Sequence, residues 1–261
     1  MAFGEIDPIF RNAVPAWNPL DWQFENFGDV MHEILFGSQR RVFVRTILYV
    51  ASAVVLSFLV GYPVAYYLAR HAGRWRGLLL ALMILPFWVN YLMRMLAWVN
   101  LLQVDGWATR AFSAFGLQYN WLDGKAITVV LGLVYGYVPF LVLPLYASLE
   151  RLDVRLLEAA RDLGARPGHA FRMVTMPLSR PGMMAAGVII ALPMFGDYYT
   201  NDMLSRSPRT EMIGNQVDFY INGTSQPQKG AVLVLVLSAM LVVFMSYYLV
   251  STMRMQRELQ A

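Results

Sequence analysis

The chain has 261 residues, 57% of them hydrophobic and only 15% charged. A soluble domain of this size needs a charged surface, so the composition excludes one and points to a lipid-embedded protein. No cysteine is present, which excludes a disulfide framework, a thiolate metal site and a cysteine nucleophile, and a formal charge of +4 is too small for a nucleic-acid binder.

In chain order, residues 1–41 come first. They are polar, carry six carboxylates against three arginines, and open on MAFGEIDPIF, which lacks the apolar run of a secretory signal. Five later segments are apolar and long enough to cross a core of about 30 Å at about 1.5 Å per residue. They are 44–69, with Gly61 and Pro63 near its end; 78–102, interrupted by Pro86; 127–149, with Pro139 and Pro144; 183–200, whose uninterrupted run 183–196 is short; and 231–250. Proline and glycine are tolerated inside spans where neighbours or a wet cavity satisfy the freed carbonyls, so four interrupted spans fit helices that line a path. Loop 201–229 is rich in Ser, Asn, Gly and Pro and is predicted irregular and surface-lying.

Between the third and fourth spans lies EAARDLGARPGHAFRMVTMPL, residues 158–178. An alanine-rich helix signal breaks at Gly164 and at Pro167–Gly168, restarts, and breaks again at Pro177 and Pro181. Short helix, turn, short helix is the predicted form.

Arginine sets the orientation. The loops 70–76 and 150–180 and the C-terminal tail hold eleven basic residues and five acidic ones; the opposite face holds eight basic and twelve acidic. The arginine-rich face is therefore expected to be cytoplasmic, together with the C-terminus. That places residues 1–41 outside with nothing to export them, so a sixth, upstream span is expected. The alternative is a short tail that crosses unaided.

Arg94 sits inside the second span, about 12 Å from its outer end at Leu102. A buried arginine needs a cavity or a partner, so a gate or a helix-pinning ion pair is one reading and snorkelling the other. Arg45, close to a span end, is expected to snorkel. Asp197 stands beside Tyr198 and Tyr199, and a carboxylate among aromatic rings suits an alkylammonium. Trp88, Asn90 and Tyr91 are candidates for the same path, and Asp202 for the role of Asp197. The alternative for the tyrosines is an interfacial belt. His32, His71 and His169 have no ligand spacing, so no metal site is expected. No phosphate-cradling Gly-rich Lys motif occurs, so the chain is expected to bind no ATP or Mg itself.

The 158–178 segment resembles the "EAA" loop of ABC-importer permeases, with Glu158, Ala159, Ala160, Gly164 and Pro177 at the family's positions. LPFWVNYLMRMLAW (85–98), GYPVAYYLAR (61–70) and PMFGDYYT (193–200) narrow the resemblance to permeases of spermidine/putrescine importers, the PotB-like family, from about Trp22 to the C-terminus. After GDYYT the chain departs from the family's proline and paired glycine. The resemblance implies an all-α, polytopic helix bundle of the type I ABC importer permease kind, six spans where five are visible, in the bacterial inner membrane. It implies an external segment 1–41 and a transmembrane domain 42–261 with a coupling loop at about 150–182. It also implies a second permease subunit, cytoplasmic ATPase subunits that hold ATP and Mg, and an external solute-binding protein. The implied activity is translocation of a polyamine-like cation by alternating access, with no catalysis in this chain. Other cargo, or a carrier outside the ABC class, are the alternatives.

Overall fold

The computed structural model describes residues 2, 25–114, 116, 120–223 and 226–260, and among them secondary structure is helical with no strand. Helix α1, Glu25–Leu35, is amphipathic and buries Val30 against Val232 and Leu233. Helix α2, Gln39–Arg70, carries Pro63 inside it. A 3-10 turn then leads into α3, Arg76–Ile84, which ends in a second 3-10 turn, Leu85–Trp88. Helix α4 is Tyr91–Leu102, α5 is Trp107–Ala114, and α6 is Ala126–Glu150 with Pro139 and Pro144 inside.

The interruption expected at Pro86 falls three residues later. Pro86 lies in the first turn of the 3-10 segment, where its missing N–H has no partner to lose. The helix stops where Val89 turns extended, at ψ 138°.

The next elements are α7, Val154–Asp162; α8, Pro167–Ala170; a π turn, Phe171–Thr175; α9, Met176–Leu178; and α10, Arg180–Gly196. Helices α11, Tyr199–Leu204, and α12, Ile213–Asp218, follow, then a second π turn, and last α13, Pro227–Gln260. Helices α2 and α6 and residues 227–253 of α13 are each long and apolar enough to span a bilayer. Two broken helix pairs, 73–114 and 167–196, bring the number to five if each is one span.

The chain divides into two compact units. One comprises Met1–Ser52, Tyr91–Leu133 and Pro193–Phe244; the other comprises Ala53–Asn90, Val134–Leu192 and Met245–Ala261. The second unit packs through small residues, as membrane helices do where close backbone approach replaces a hydrophobic drive. A Cβ on Gly61 would lie 2.6 Å from the Leu141 side chain, and one on Gly182 would collide with Ser148.

In the first unit, the segment expected to be an irregular surface loop is folded and buried. Leu204, Met212 and Ile213 are each at most 1% exposed. Ile213 packs with Val42 and Leu237, and its N–H donates to Thr46 Oγ1 at 2.9 Å. The polar residues that suggested a loop bond internally instead. Ser205 and Thr210 hydroxyls meet at 2.5 Å, and Asn215 Oδ1 accepts from the Met212 N–H at 2.9 Å. Arg45, expected to snorkel, donates to the carbonyls of Pro208 and Arg209 in the same segment.

Candidate functional site

Helix α10 stops at Gly196, four residues short of the expected span end. The cause is local. Asp197 Oδ1 accepts the Thr200 N–H at 3.0 Å and Oδ2 accepts the Thr200 hydroxyl at 2.7 Å, so the aspartate caps the next helix rather than continuing the last. Tyr91, the first residue of α4, donates its hydroxyl to Asp197 Oδ2 at 3.0 Å, and this hydroxyl lies 2.5 Å from Thr200 Oγ1. Asp197 is 7% exposed and Thr200 is fully buried. A buried carboxylate is tolerable here because three donors face it.

The tyrosines extend the cluster. Tyr199 lies edge-on to Tyr91, with centroids 6.5 Å apart, and stacks on Tyr198 at 4.0 Å. The Arg94 guanidinium sits 5.4 Å from the Tyr91 ring centroid, one helical turn along α4. Asn215 Nδ2 donates to the Tyr198 carbonyl at 3.1 Å and to Asp202 Oδ1 at 2.6 Å. Burial raises the Asp202 pKa from its ordinary value; the Asn215 bond works against this, and the charges of Asp218, Glu211 and Asp197 add to it. Close backbone approach makes the arrangement possible: a Cβ on Gly214 would stand 2.7 Å from the Gly196 carbonyl oxygen.

Four of the candidate path residues, Tyr91, Asp197, Tyr198 and Tyr199, are therefore gathered in one cluster with the candidate gate residue Arg94. Trp88 and Asn90 belong to the other unit, and both are exposed, Trp88 at 85%. Thr200 and Asn215 were not anticipated. The Asp-x-x-Thr spacing, a helix-capping pattern, was the available signal for Thr200. Asn215 bonds the Met212 N–H three residues back, but no local signal ties it to this cluster, since its contacts there are 13 and 17 residues away.

The second candidate region is 153–179. Asp153 caps α7 by accepting the Arg155 N–H at 2.9 Å. The helix ends in a Schellman motif. Gly164 takes φ +85°, its N–H donates to the Arg161 carbonyl at 2.8 Å, and the Ala165 N–H donates to the Ala160 carbonyl at 3.0 Å. Arg166 is extended, as a residue before proline prefers, and Pro167 opens α8. Helix, turn, helix is thus the observed form.

One expectation needs correction. Pro177 does not break the chain's helical path; the break falls at Ser179. The π turn at 171–175 absorbs the proline by widening the turn before it, with the Met176 N–H bonding to the Phe171 carbonyl.

This region is fixed on its inner side and open on its outer side. Leu157 and Ala170 are buried, and the Phe171 ring packs edge-on against Tyr62 and Tyr66 at 5.7 and 5.3 Å. The Tyr62 and Ser179 hydroxyls meet at 2.9 Å, and Arg70 donates to the Leu152 carbonyl at 2.9 Å. Glu158, Ala159 and Gly164 are exposed, and Ala160 and Pro177 are half-buried. Large apolar side chains also face outward: Leu156, Met173 and, at 90% exposure, Leu163. Apolar groups are thus held outward on a capped element.

Known proteins match this chain over most of its length. Residues 57–256 match the family described as the binding-protein-dependent transport system inner membrane component. The chain is 38% identical over 167 residues to the spermidine/putrescine transport system permease protein PotB of Haemophilus influenzae, covering 63% of this chain and 58% of that protein. It is 37% identical over 171 residues to the Escherichia coli K12 protein of the same name, covering 63% and 60%. Against the inner membrane ABC transporter permease protein YdcU of E. coli K12 it is 31% identical over 190 residues, covering 67% and 60%. The chain spans about three fifths of the length of these relatives.

Its fold is similar to that of a bacterial ABC transporter involved in the import of the acidic polysaccharide alginate, with a TM-score of 0.69 at 16% identity, covering 87% of this chain and 83% of that one. It is also similar to the MetNI methionine ABC transporter in an inward facing conformation, with a TM-score of 0.57 at 19% identity, covering 84% and 94%. The family match begins inside α2, runs almost to the end of α13 and takes in both candidate regions, and the chain belongs to the family of binding-protein-dependent transport system inner membrane components.

Proposed function

We propose that this chain is the permease subunit of an ATP-driven importer that carries a polyamine-like organic cation by alternating access. The observation that carries the reading is the 153–179 region. It is a capped helix, a left-handed glycine and a second helix, anchored within by Phe171 and Leu157 and open to a partner through Glu158, Leu163 and Gly164. The arginine asymmetry supports a cytoplasmic face for this region and for the C-terminus, in a bacterial inner membrane. The partner there is an ATPase subunit, which binds ATP and Mg and does the hydrolysis. A second permease subunit and an external solute-binding protein complete the machine.

The relatives' identity supports the cargo, and the Asp197 cluster supplies chemistry for it. In the closed arrangement the Asp197 carboxylate is satisfied by Tyr91 and Thr200. Opening exchanges those hydroxyls for a cargo ammonium, which the Tyr198 and Tyr199 rings stabilise. Arg94, held over Tyr91, keeps the path shut to free cations until the cluster yields.

The test is ATP-dependent uptake of labelled spermidine and putrescine into proteoliposomes holding the chain with its partner subunits. Glu158→Lys is expected to abolish uptake while leaving assembly of the membrane subunits intact. Uptake that survives the substitution overturns the docking role. Uptake absent with the native chain, while the binding protein still stimulates ATP hydrolysis, overturns the cargo.

A further inference from the structure

A polar cavity of about 430 Å³ lies at the N-terminal end of α2 and plays no part in the reading above. Its lining includes Arg41, Arg45 and Arg209 together with Gln39 and Glu211.

Its floor is a fixed hydrogen-bond relay. Gln39 Nε2 donates to Gln216 Oε1 at 3.0 Å, and Gln216 Nε2 donates to Glu211 Oε2 at 2.6 Å. Glu211 is thereby held in place as an acceptor. Arg45 is held as a donor, because the Pro208 and Arg209 carbonyls tie down its Nη1. Two buried polar atoms at this site have no partner among the described residues: Arg45 Nε, a donor, and Gln39 Oε1, an acceptor. Gln39 as a whole is only 5% exposed. Buried groups left in this state cost about 1–3 kcal/mol each, so a site that retains two of them is built for something that supplies both an acceptor and a donor.

The surroundings narrow the class. Arg41, Val44 and Leu48 fall at i, i+3 and i+7, one face of α2, and Val44 and Leu48 are 50% and 59% exposed. Arg41 lines the cavity and Val44 and Leu48 follow it along the same face, so a polar cavity and an exposed apolar stripe meet at the end of a helix long and apolar enough to span a bilayer, where headgroups lie.

We propose that this cavity binds the zwitterionic headgroup of a phospholipid, its phosphate on Arg41, Arg45 and Arg209 and its ammonium on Glu211 and Gln39 Oε1, with an acyl chain along Val44 and Leu48. Three guanidiniums match phosphate geometry. The Glu211 carboxylate in the same lining distinguishes an aminoethyl headgroup from a purely anionic one, which would meet Glu211 with nothing to offer it.

The experiment is native mass spectrometry of the assembled transporter released from nanodiscs of equal phosphatidylethanolamine and phosphatidylglycerol. The expected result is preferential retention of phosphatidylethanolamine. Arg41→Gln with Arg209→Gln is expected to lower that retention about tenfold, the worth of one charge-assisted contact. Those two arginines are exposed, so the fold survives the change. Glu211→Gln is expected to remove the preference between the two lipids without removing binding, which loss of a merely structural residue would not do. Equal retention of both lipids by the native protein, or retention unchanged in the double arginine variant, overturns the proposal. Competition by glycerophosphoethanolamine at the lipid's own concentration also overturns it, since a soluble headgroup would then be the occupant.

Discussion

The Asp197 cluster and the 153–179 region handle their polar and apolar groups in opposite ways. Around Asp197, a carboxylate, two hydroxyls and a backbone N–H satisfy one another out of water. Around Gly164, the backbone is capped at both ends, yet Leu163 stands 90% exposed with no apolar neighbour required by the fold. The first region satisfies its polar groups within the chain, and the second leaves large apolar groups in the open. Under the proposed function the first is opened and the second is covered, and substitutions should separate them through stability on one side and assembly on the other.

The largest effect is expected at Asp197. Asp197→Ala strands the Thr200 N–H and leaves the Tyr91 and Thr200 hydroxyls only each other, costing about 2 to 4 kcal/mol of folding stability. Thermal unfolding in detergent measures this, and a midpoint equal to that of the native chain would break the contrast from its closed side. Next in size is Leu163→Asp. It should leave the unfolding midpoint unchanged but weaken ATPase docking by about 2 kcal/mol, roughly thirtyfold, the worth of one leucine buried at an interface. Titration of the purified ATPase onto the membrane subunits reads it, and a variant that docks normally but unfolds early would reverse the assignment. Gly164→Ala comes third. At φ +85° with open space around it, the substitution meets strain rather than a clash, so about 1 kcal/mol is expected.

The smallest effect is on the pH dependence of the first region. Burial raises the Asp202 pKa in the folded state. The folded chain therefore binds its proton more tightly than the unfolded chain. Stability should fall as pH rises from the ordinary carboxylate value of about 3.9 through the raised folded value, then level off above it. Asp202→Asn should flatten that part of the curve. A stability that instead rises over the same window with Asp202 in place would show that the Asn215 bond outweighs burial.

The legible parts of this molecule were those that depend on neighbouring residues. Hydropathy marked the spans, and Glu158–Gly164 with Pro167 marked helix, turn and helix, because caps and breakers act within a few residues. Asp197 and the tyrosines stood out as polar groups at a span end. What stayed hidden depends on distant contact. Residues 201–223 read as loop because their Ser, Asn and Pro content is what exposed turns use. Their burial comes from Val42, Thr46 and Leu237, each far away in sequence. The end of α10 was misplaced for a different reason: apolar content continues to Thr200, and only the capping geometry of Asp197 says that the helix does not.

The π turn at Phe171–Thr175 has a mechanical meaning. An α-helix turns about 100° and advances about 1.5 Å with each residue, and a π turn holds one residue more than its neighbours need. The stretch between Ala170 and Met176 thus contains slack. That slack carries the helical path past Pro177, whose ring an ordinary turn would press against the carbonyl four residues back, so the widened turn works as a joint that keeps the path continuous.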